Sequence, residues 1–243
     1  MFRSSTCFAA ALAACVAPAA RAADWYTGAV APAERDAWIV AVDASTTISS
    51  QGSQFAGATA TAAPADNLLV SGPRVRLDGL IGSYRTGRNG LGEQAEIAAL
   101  AGYAWVMPDA VLSGFVGLNI RRNEVSRLDD SLSAESTRVG LKAALDLYAR
   151  PTAFTMVHAT GTYATTFNAY YGRVRGGVAS VAGGYFGPEF AILGDDYYRQ
   201  WRTGLHLSGM QFGAVQFGVS AGYLHDQARK GGAYATVDLR TGF

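Results

Sequence analysis

The stretch GGAYATVDLRTGF, residues 231–243, decides the fold. From Ala233 onward it separates into two interleaved sets, Ala233, Ala235, Val237, Leu239, Thr241 and Phe243 against Tyr234, Thr236, Asp238, Arg240 and Gly242. A period of two held over this length predicts a β-strand with one apolar and one polar face. Chain ends are ordinarily frayed and polar, so an ordered, half-apolar end implies a strand partner and surroundings that favour the apolar face.

The same alternation recurs along the chain. In residues 138–148, Val139, Leu141, Ala143, Leu145 and Leu147 interleave with Arg138, Gly140, Lys142, Ala144, Asp146 and Tyr148. Ala95, Ile97, Ala99, Ala101, Tyr103 and Trp105 form one face of 94–105; Trp201, Thr203, Leu205 and Leu207 form one face of 200–208; Val215, Phe217, Val219, Ala221 and Tyr223 form one face of 215–223. No helical period persists comparably. Twelve segments emerge, near 37–46, 54–62, 68–85, 92–106, 110–121, 136–149, 152–165, 169–180, 184–193, 199–209, 213–225 and 232–243, the second being the weakest in pattern.

Soluble sandwiches and membrane barrels both alternate, and three features separate them here. Full charges sit in mid-strand on the polar face, which suits an enclosed, wet or salt-bridged interior. Aromatics (Trp38, Tyr103, Trp105, Tyr148, Tyr170, Trp201, Tyr223, Phe243) sit near strand ends, as interfacial girdles require. Tight connections at 107–110, 149–152 and 209–212 contrast with a polar stretch, 121–136, read as a long loop. The predicted fold is therefore all-β, a transmembrane antiparallel up-and-down β-barrel of about twelve strands, in one domain spanning 23–243. Closure of such a barrel pairs its last strand with its first and leaves no backbone edge unsatisfied in lipid.

The candidate lumen lining is Glu96, Arg138, Lys142, Asp146, Arg173, Arg175, Glu189, Arg202, His206, Asp238 and Arg240. Arginine–carboxylate pairs across a packed interior are favoured over a lining that tunes passage. Twelve strands lie between small, side-chain-filled barrels and wide porins, so strand number alone leaves the openness of the lumen undecided.

Charged residues make up 16% of the 243, and glycine contributes 29, whereas about a quarter of a typical soluble domain is charged. Residues 1–22 read as an export signal: Arg3, an apolar run from Phe8 to Ala17, Pro18, and a small-x-small site at Ala20-Arg21-Ala22. A competing reading takes Leu12–Cys15 as the site of a lipid-modified cysteine, but the apolar run continues past Cys15. Cleavage after Ala22 leaves 18 basic against 19 acidic residues and removes both cysteines, Cys7 and Cys15. This excludes a polybasic nucleic-acid surface, disulfides and cysteine-held metals. The later uncharged runs, 44–65 and 151–172, are too polar for a transmembrane helix; the expected membrane partner is lipid on the strand faces.

Chemistry-bearing motifs are scarce, with three histidines (His158, His206, His225) and neither metalloprotease, phosphate-loop nor serine-hydrolase spacing. The chain is accordingly expected to be no enzyme, with no cofactor, no metal and no catalytic residue. His206 and Ser208 superficially match the His-x-Ser of lipid A deacylase barrels, but both fall on the lumen face and read as polar lining. Gly194–Tyr198 (GDDYY) and Arg127–Asp130 (RLDD) read as solvated loop tips.

Three stretches of the second half, NAYYGRVRGGVA at 168–179, GPEFAILGDDYYRQWRTGLHLSG at 187–209 and GAVQFGVSAGYLHD at 213–226, resemble the cellulose biosynthesis protein BcsS family of outer-membrane proteins. Gly187-Pro188-Glu189, Leu193-Gly194, Gln200-Trp201-Arg202 and Ser220-Ala221-Gly222-Tyr223 carry the likeness; WIVAVDAS at 38–45 and GLKAALDLYARPT at 140–152 extend it. A C-terminal aromatic on the lipid face, Phe243, also resembles the insertion signal of bacterial outer-membrane barrels. The resemblance implies an integral outer-membrane location, a role in cellulose production as an export or anchoring component, and cellulose or cellulose-synthase secretion components as partners. It implies no residue-level mechanism. The alternatives are a small-solute porin and a structural barrel whose extracellular loops bind a partner.

Overall fold

Alternation over nearly every segment dictates strands, and twelve of them close on themselves. The computed structural model describes residues 39–64, 67–86, 90–127, 130–180, 183–228 and 230–243. The expected export signal with Cys7 and Cys15, Trp38 of the expected girdle, and Leu128-Asp129 of the RLDD tip lie outside the described residues. Among the described residues the strands are β1 (Val40–Ser49), β2 (Gln54–Ala62), β3 (Gly72–Thr86), β4 (Gly90–Met107), β5 (Ala110–Arg127), β6 (Asp130–Thr152), β7 (Thr155–Ala164), β8 (Ala169–Ala179), β9 (Tyr185–Gly194), β10 (Arg199–Phe212), β11 (Val215–Asp226) and β12 (Lys230–Gly242). Each pairs antiparallel with its sequence neighbours, and β1 pairs with β12 to close the ring. At the seam Ala44 lies opposite Leu239, and Thr47 opposite Thr236. Phe243 clamps it: its carbonyl accepts Ile39 N at 2.8 Å and Val40 N at 3.1 Å, while its own N–H donates to Val40 O at 2.8 Å.

The outer face carries the apolar set. Leu77, Ile97, Val116, Leu118, Val139, Leu141, Phe190, Leu205 and Val237 are all exposed there, a surface that water would disfavour and hydrocarbon accepts. Aromatics flank this band at both ends. At the rim that carries Phe243, here the lower rim, stand Tyr103 and Trp105 (ring centroids 5.1 Å apart) with Phe154 and Phe212. At the upper rim, Trp201 packs 5.6 Å from Tyr223 and stacks on His225 at 5.7 Å, with Tyr163 nearby along the rim. Tyr148 departs from the girdle expected of it: it is buried, on the inward register of β6, because it shares parity with Asp146 and Lys142.

The stretch 121–136 is not a long loop. Its described residues continue β5 to Arg127 and β6 from Asp130, which pair with each other. Outward residues on β5 switch from Val116, Leu118 and Ile120 to Arg122 and Glu124, with Arg122 reaching Glu135 on β6 at 3.0 Å. A bilayer needs only about 9–11 residues per strand, so these strands of 18 and 23 residues project into water. Polarity on both faces there erases the two-period signal and makes a strand read as a loop.

Glycine shapes the wall where neighbouring strands approach too closely for a side chain. A Cβ on Gly187 would lie 2.0 Å from Gly176 O, and one on Gly102 would lie 2.0 Å from Gly114 O; such sites mark the bends a closed barrel needs.

Candidate functional site

Inward residues gather charge in the interior, and the chain pairs it strand to strand. Along one wall Asp146 (β6) meets Arg76 (β3), Arg76 Nε lies 2.6 Å from Asp78 Oδ1, and Lys142 Nζ (β6) lies 2.8 Å from Asp78 and 2.7 Å from Glu96 (β4). Arg121 (β5) continues the series, 3.2 Å from Glu96 and 2.7 Å from Asp195 in the β9–β10 turn. On the opposite wall Arg175 (β8) pairs with Glu189 (β9) and reaches Asp238 (β12) at 2.6 Å, Arg173 meets Asp238 at 3.0 Å, and Tyr234 Oη donates to Glu189 at 2.9 Å. Arg240 and Asp43 pair at 3.2 Å across the seam. Arg202 is held by other means, between the Phe55 and Tyr234 rings and donating to Gln200 at 2.6 Å. Several of these contacts are chords: β8 to β12, β3 to β6 and β5 to the β9–β10 turn are not neighbours in the ring. Buried charges persist only when so paired.

Of the expected lining, Glu96, Lys142, Asp146, Arg173, Arg175, Arg202, Asp238 and Arg240 surround an interior cavity, and Glu189 and His206 are buried in the same interior. Arg138 stands apart. It shares the inward register but sits above the waist, half-exposed at the upper rim, with its guanidinium 4.3 Å from the Phe167 ring centroid and 3.8 Å from Asp196. His206 Nε2 lies 3.1 Å from Gly176 O and its Nδ1 lies 3.1 Å from Ser208 Oγ. A ring donating from Nε2 to the carbonyl leaves Nδ1 to accept the Ser208 hydroxyl, and no carboxylate holds the imidazole. Among the described residues no group of three or more His, Cys, Asp or Glu is placed to hold a metal ion.

The pattern reading missed the plug. Two turns fold into the upper mouth. The β7–β8 connection, a short 3-10 turn over Thr166–Asn168, buries Phe167 completely, with φ of 56° at Phe167 and 50° at Asn168. Asn119 Nδ2 donates to Thr166 Oγ1 at 2.7 Å, and Asn168 Nδ2 to Asp196 Oδ1 at 2.8 Å. The β9–β10 turn is built on Asp195: Oδ1 accepts Tyr197 N at 2.8 Å and Tyr198 N at 3.0 Å, while Oδ2 takes Arg121 and Asn123. Tyr198 then packs 4.6 Å from Tyr84 and 6.2 Å from Phe55. Burial pushes its phenol above the ordinary tyrosine range, and Gln200 Nε2 donates to its oxygen at 2.8 Å. Of the GDDYY stretch read as a solvated tip, only Asp196 and Tyr197 are exposed; Asp195 and Tyr198 are buried. The reason is specific pairing: Asp195 supplies a carboxylate to Arg121 from above, and Tyr198 packs against Tyr84 and Phe55. An Asx-turn signature at Asp195 was the available signal.

Below the plug lies a cavity of ≈ 410 Å³. At its upper end the lining residues Asp195, Tyr198, Ala164 and Ala169 are buried; at its lower end Tyr185, Ser208 and Gln216 are half-exposed. These lining residues are thus buried directly beneath the plug and partly exposed toward the lower rim.

The family model described as cellulose biosynthesis protein BcsS matches residues 43–243. No curated protein matches the chain. Similar solved structures include the β domain of the Bordetella autotransporter Brka (11% identity, 86% of this chain and 100% of that one, TM-score 0.48), the KdgM porin (11%, 84% and 99%, 0.45) and the translocator domain of the autotransporter NalP from Neisseria meningitidis (14%, 84% and 87%, 0.45).

Proposed function

The chain belongs to the cellulose biosynthesis protein BcsS family, and from that premise we propose that it is an integral outer-membrane component of bacterial cellulose production that anchors the machinery or its glucan, without enzymatic activity. The upper rim, from which the β5–β6 hairpin projects, faces outward, since outer-membrane barrels carry their longer connections outside. The observation that carries the reading is the plugged lumen: a diffusion pore needs a continuous aqueous path, whereas here Phe167 and Tyr198 occupy the outer mouth and ion pairs cross the waist. This favours a plugged anchoring barrel over the small-solute porin.

Deleting the gene in a cellulose-producing host and weighing cell-associated against shed cellulose tests the role. An anchoring component predicts loss of the cell-associated fraction; wild-type retention and yield would refute the pathway assignment. Stable open conductance of the purified barrel in planar bilayers would return the reading to a porin.

A further inference from the structure

We infer that the cavity beneath the plug is a binding site for a short uncharged oligosaccharide entering from the lower, periplasm-facing rim, a reading that rests on the anchoring role proposed above. Three observations converge. The cavity volume, ≈ 410 Å³, lies within the roughly 300–1,000 Å³ of ligand pockets, and its lining includes partly exposed residues, Tyr185, Ser208 and Gln216, toward the lower rim.

The charges select against ionic ligands. Every cation lining it except Arg202 is held by a carboxylate of the same interior, and Arg202 is sandwiched between rings. Arg202 is also buried, so an acidic glycan would find no exposed, unpaired guanidinium to replace its hydration, and would meet carboxylates as often as guanidinium groups. A neutral, hydroxyl-rich chain meets neither obstacle.

The lining also offers what such a chain needs. Tyr148, Tyr171 and Tyr185 contribute aromatic surface, the partner that the C–H faces of pyranose rings pack against. Asp43 and Asp146 keep 40% and 21% of their side chains exposed although each is paired with an arginine, so their oxygens retain capacity to accept sugar hydroxyls. Thr160 adds a hydroxyl at mid-height.

Isothermal titration of the full barrel in detergent micelles, with cellohexaose, maltohexaose and hexagalacturonate as probes, tests this. Saturable binding of a neutral hexaose, with no binding of the hexagalacturonate, is expected. Thr160→Trp, which places an indole in the cavity between Asp146 and Arg173 of the neighbouring strands, and Tyr185→Ala should each weaken it at least tenfold, with heat-modifiable gel mobility reporting that both variants are folded. Absence of binding by either neutral hexaose, equal binding of the acidic one, or indifference to Thr160→Trp in folded protein would overturn the site. Binding of maltohexaose with rejection of cellohexaose would support the site while contradicting the cellulose reading on which the choice of glucan rests.

Discussion

Replacing Phe167 by glycine should turn a silent barrel into a conducting one. Phe167 is wholly buried in the outer mouth and stacked under Arg138. Removing a buried phenyl typically destabilises by about 3–5 kcal/mol, which includes the loss of a cation–π contact of about 0.5–2 kcal/mol. Against this, a non-glycine residue at φ of 56° stores about 1–3 kcal/mol of backbone strain, and glycine adopts that conformation freely. The net loss is therefore about 0–4 kcal/mol, confined to a turn, and the closed hydrogen-bonded ring remains. In planar bilayers the native barrel should show no stable conductance and Phe167→Gly discrete openings, while Phe167→Leu, which keeps bulk in the mouth, should stay silent. A folded Phe167→Gly variant that remains silent would refute the claim that this side chain closes the barrel's upper mouth.

Arg175→Met leaves the buried Glu189 without its guanidinium partner, held by the Tyr234 hydroxyl, while Asp238 keeps Arg173; it should lower stability by about 3–5 kcal/mol, read as a lower temperature for loss of heat-modifiable mobility, and the exposed Arg122→Met, whose partners stand in water, should shift it little. Gly187→Val places a side chain against Gly176 O, where a Cβ already meets oxygen at 2.0 Å, and should cut the folded yield on refolding into detergent sharply. Deleting Phe243 removes three backbone hydrogen bonds at the seam, each worth about 0.5–1.5 kcal/mol, and should slow membrane assembly measured by protease resistance. Ser208→Ala should leave cellulose output and cell-associated cellulose unchanged, as a polar wall residue would; loss of either would point to chemistry at His206–Ser208.

The alternation that begins at Ala233 carried the fold because the bilayer and the lumen impose opposite demands on neighbouring residues, and strands as separate as β4 and β12 answer to both. Where a strand leaves the bilayer that contrast vanishes, as at Arg122 and Asn123, and pattern misreads a projecting hairpin as a loop. Mid-strand charge was legible as inward-facing in the same way, since a full charge on a half-apolar strand has nowhere to go but inward; Arg138 satisfies the same parity while sitting one level too high, a coordinate that alternation does not encode. The plug was illegible for a different reason. Phe167 is apolar in a turn, and only the three-dimensional meeting of the β7–β8 and β9–β10 connections gives it a place to be buried.

The most direct test of the account is a single-cysteine scan of residues 139–146 in a chain with Cys7 and Cys15 replaced, each thiol carrying a nitroxide in reconstituted bilayers. Accessibility to oxygen, which concentrates in hydrocarbon, should peak at Val139, Leu141, Ala143 and Leu145 and fall at Gly140, Lys142, Ala144 and Asp146, with a period of two. Odd positions that respond to a water-soluble nickel relaxant instead, or a profile with no alternation, would contradict a lipid-bathed barrel with its charges turned inward.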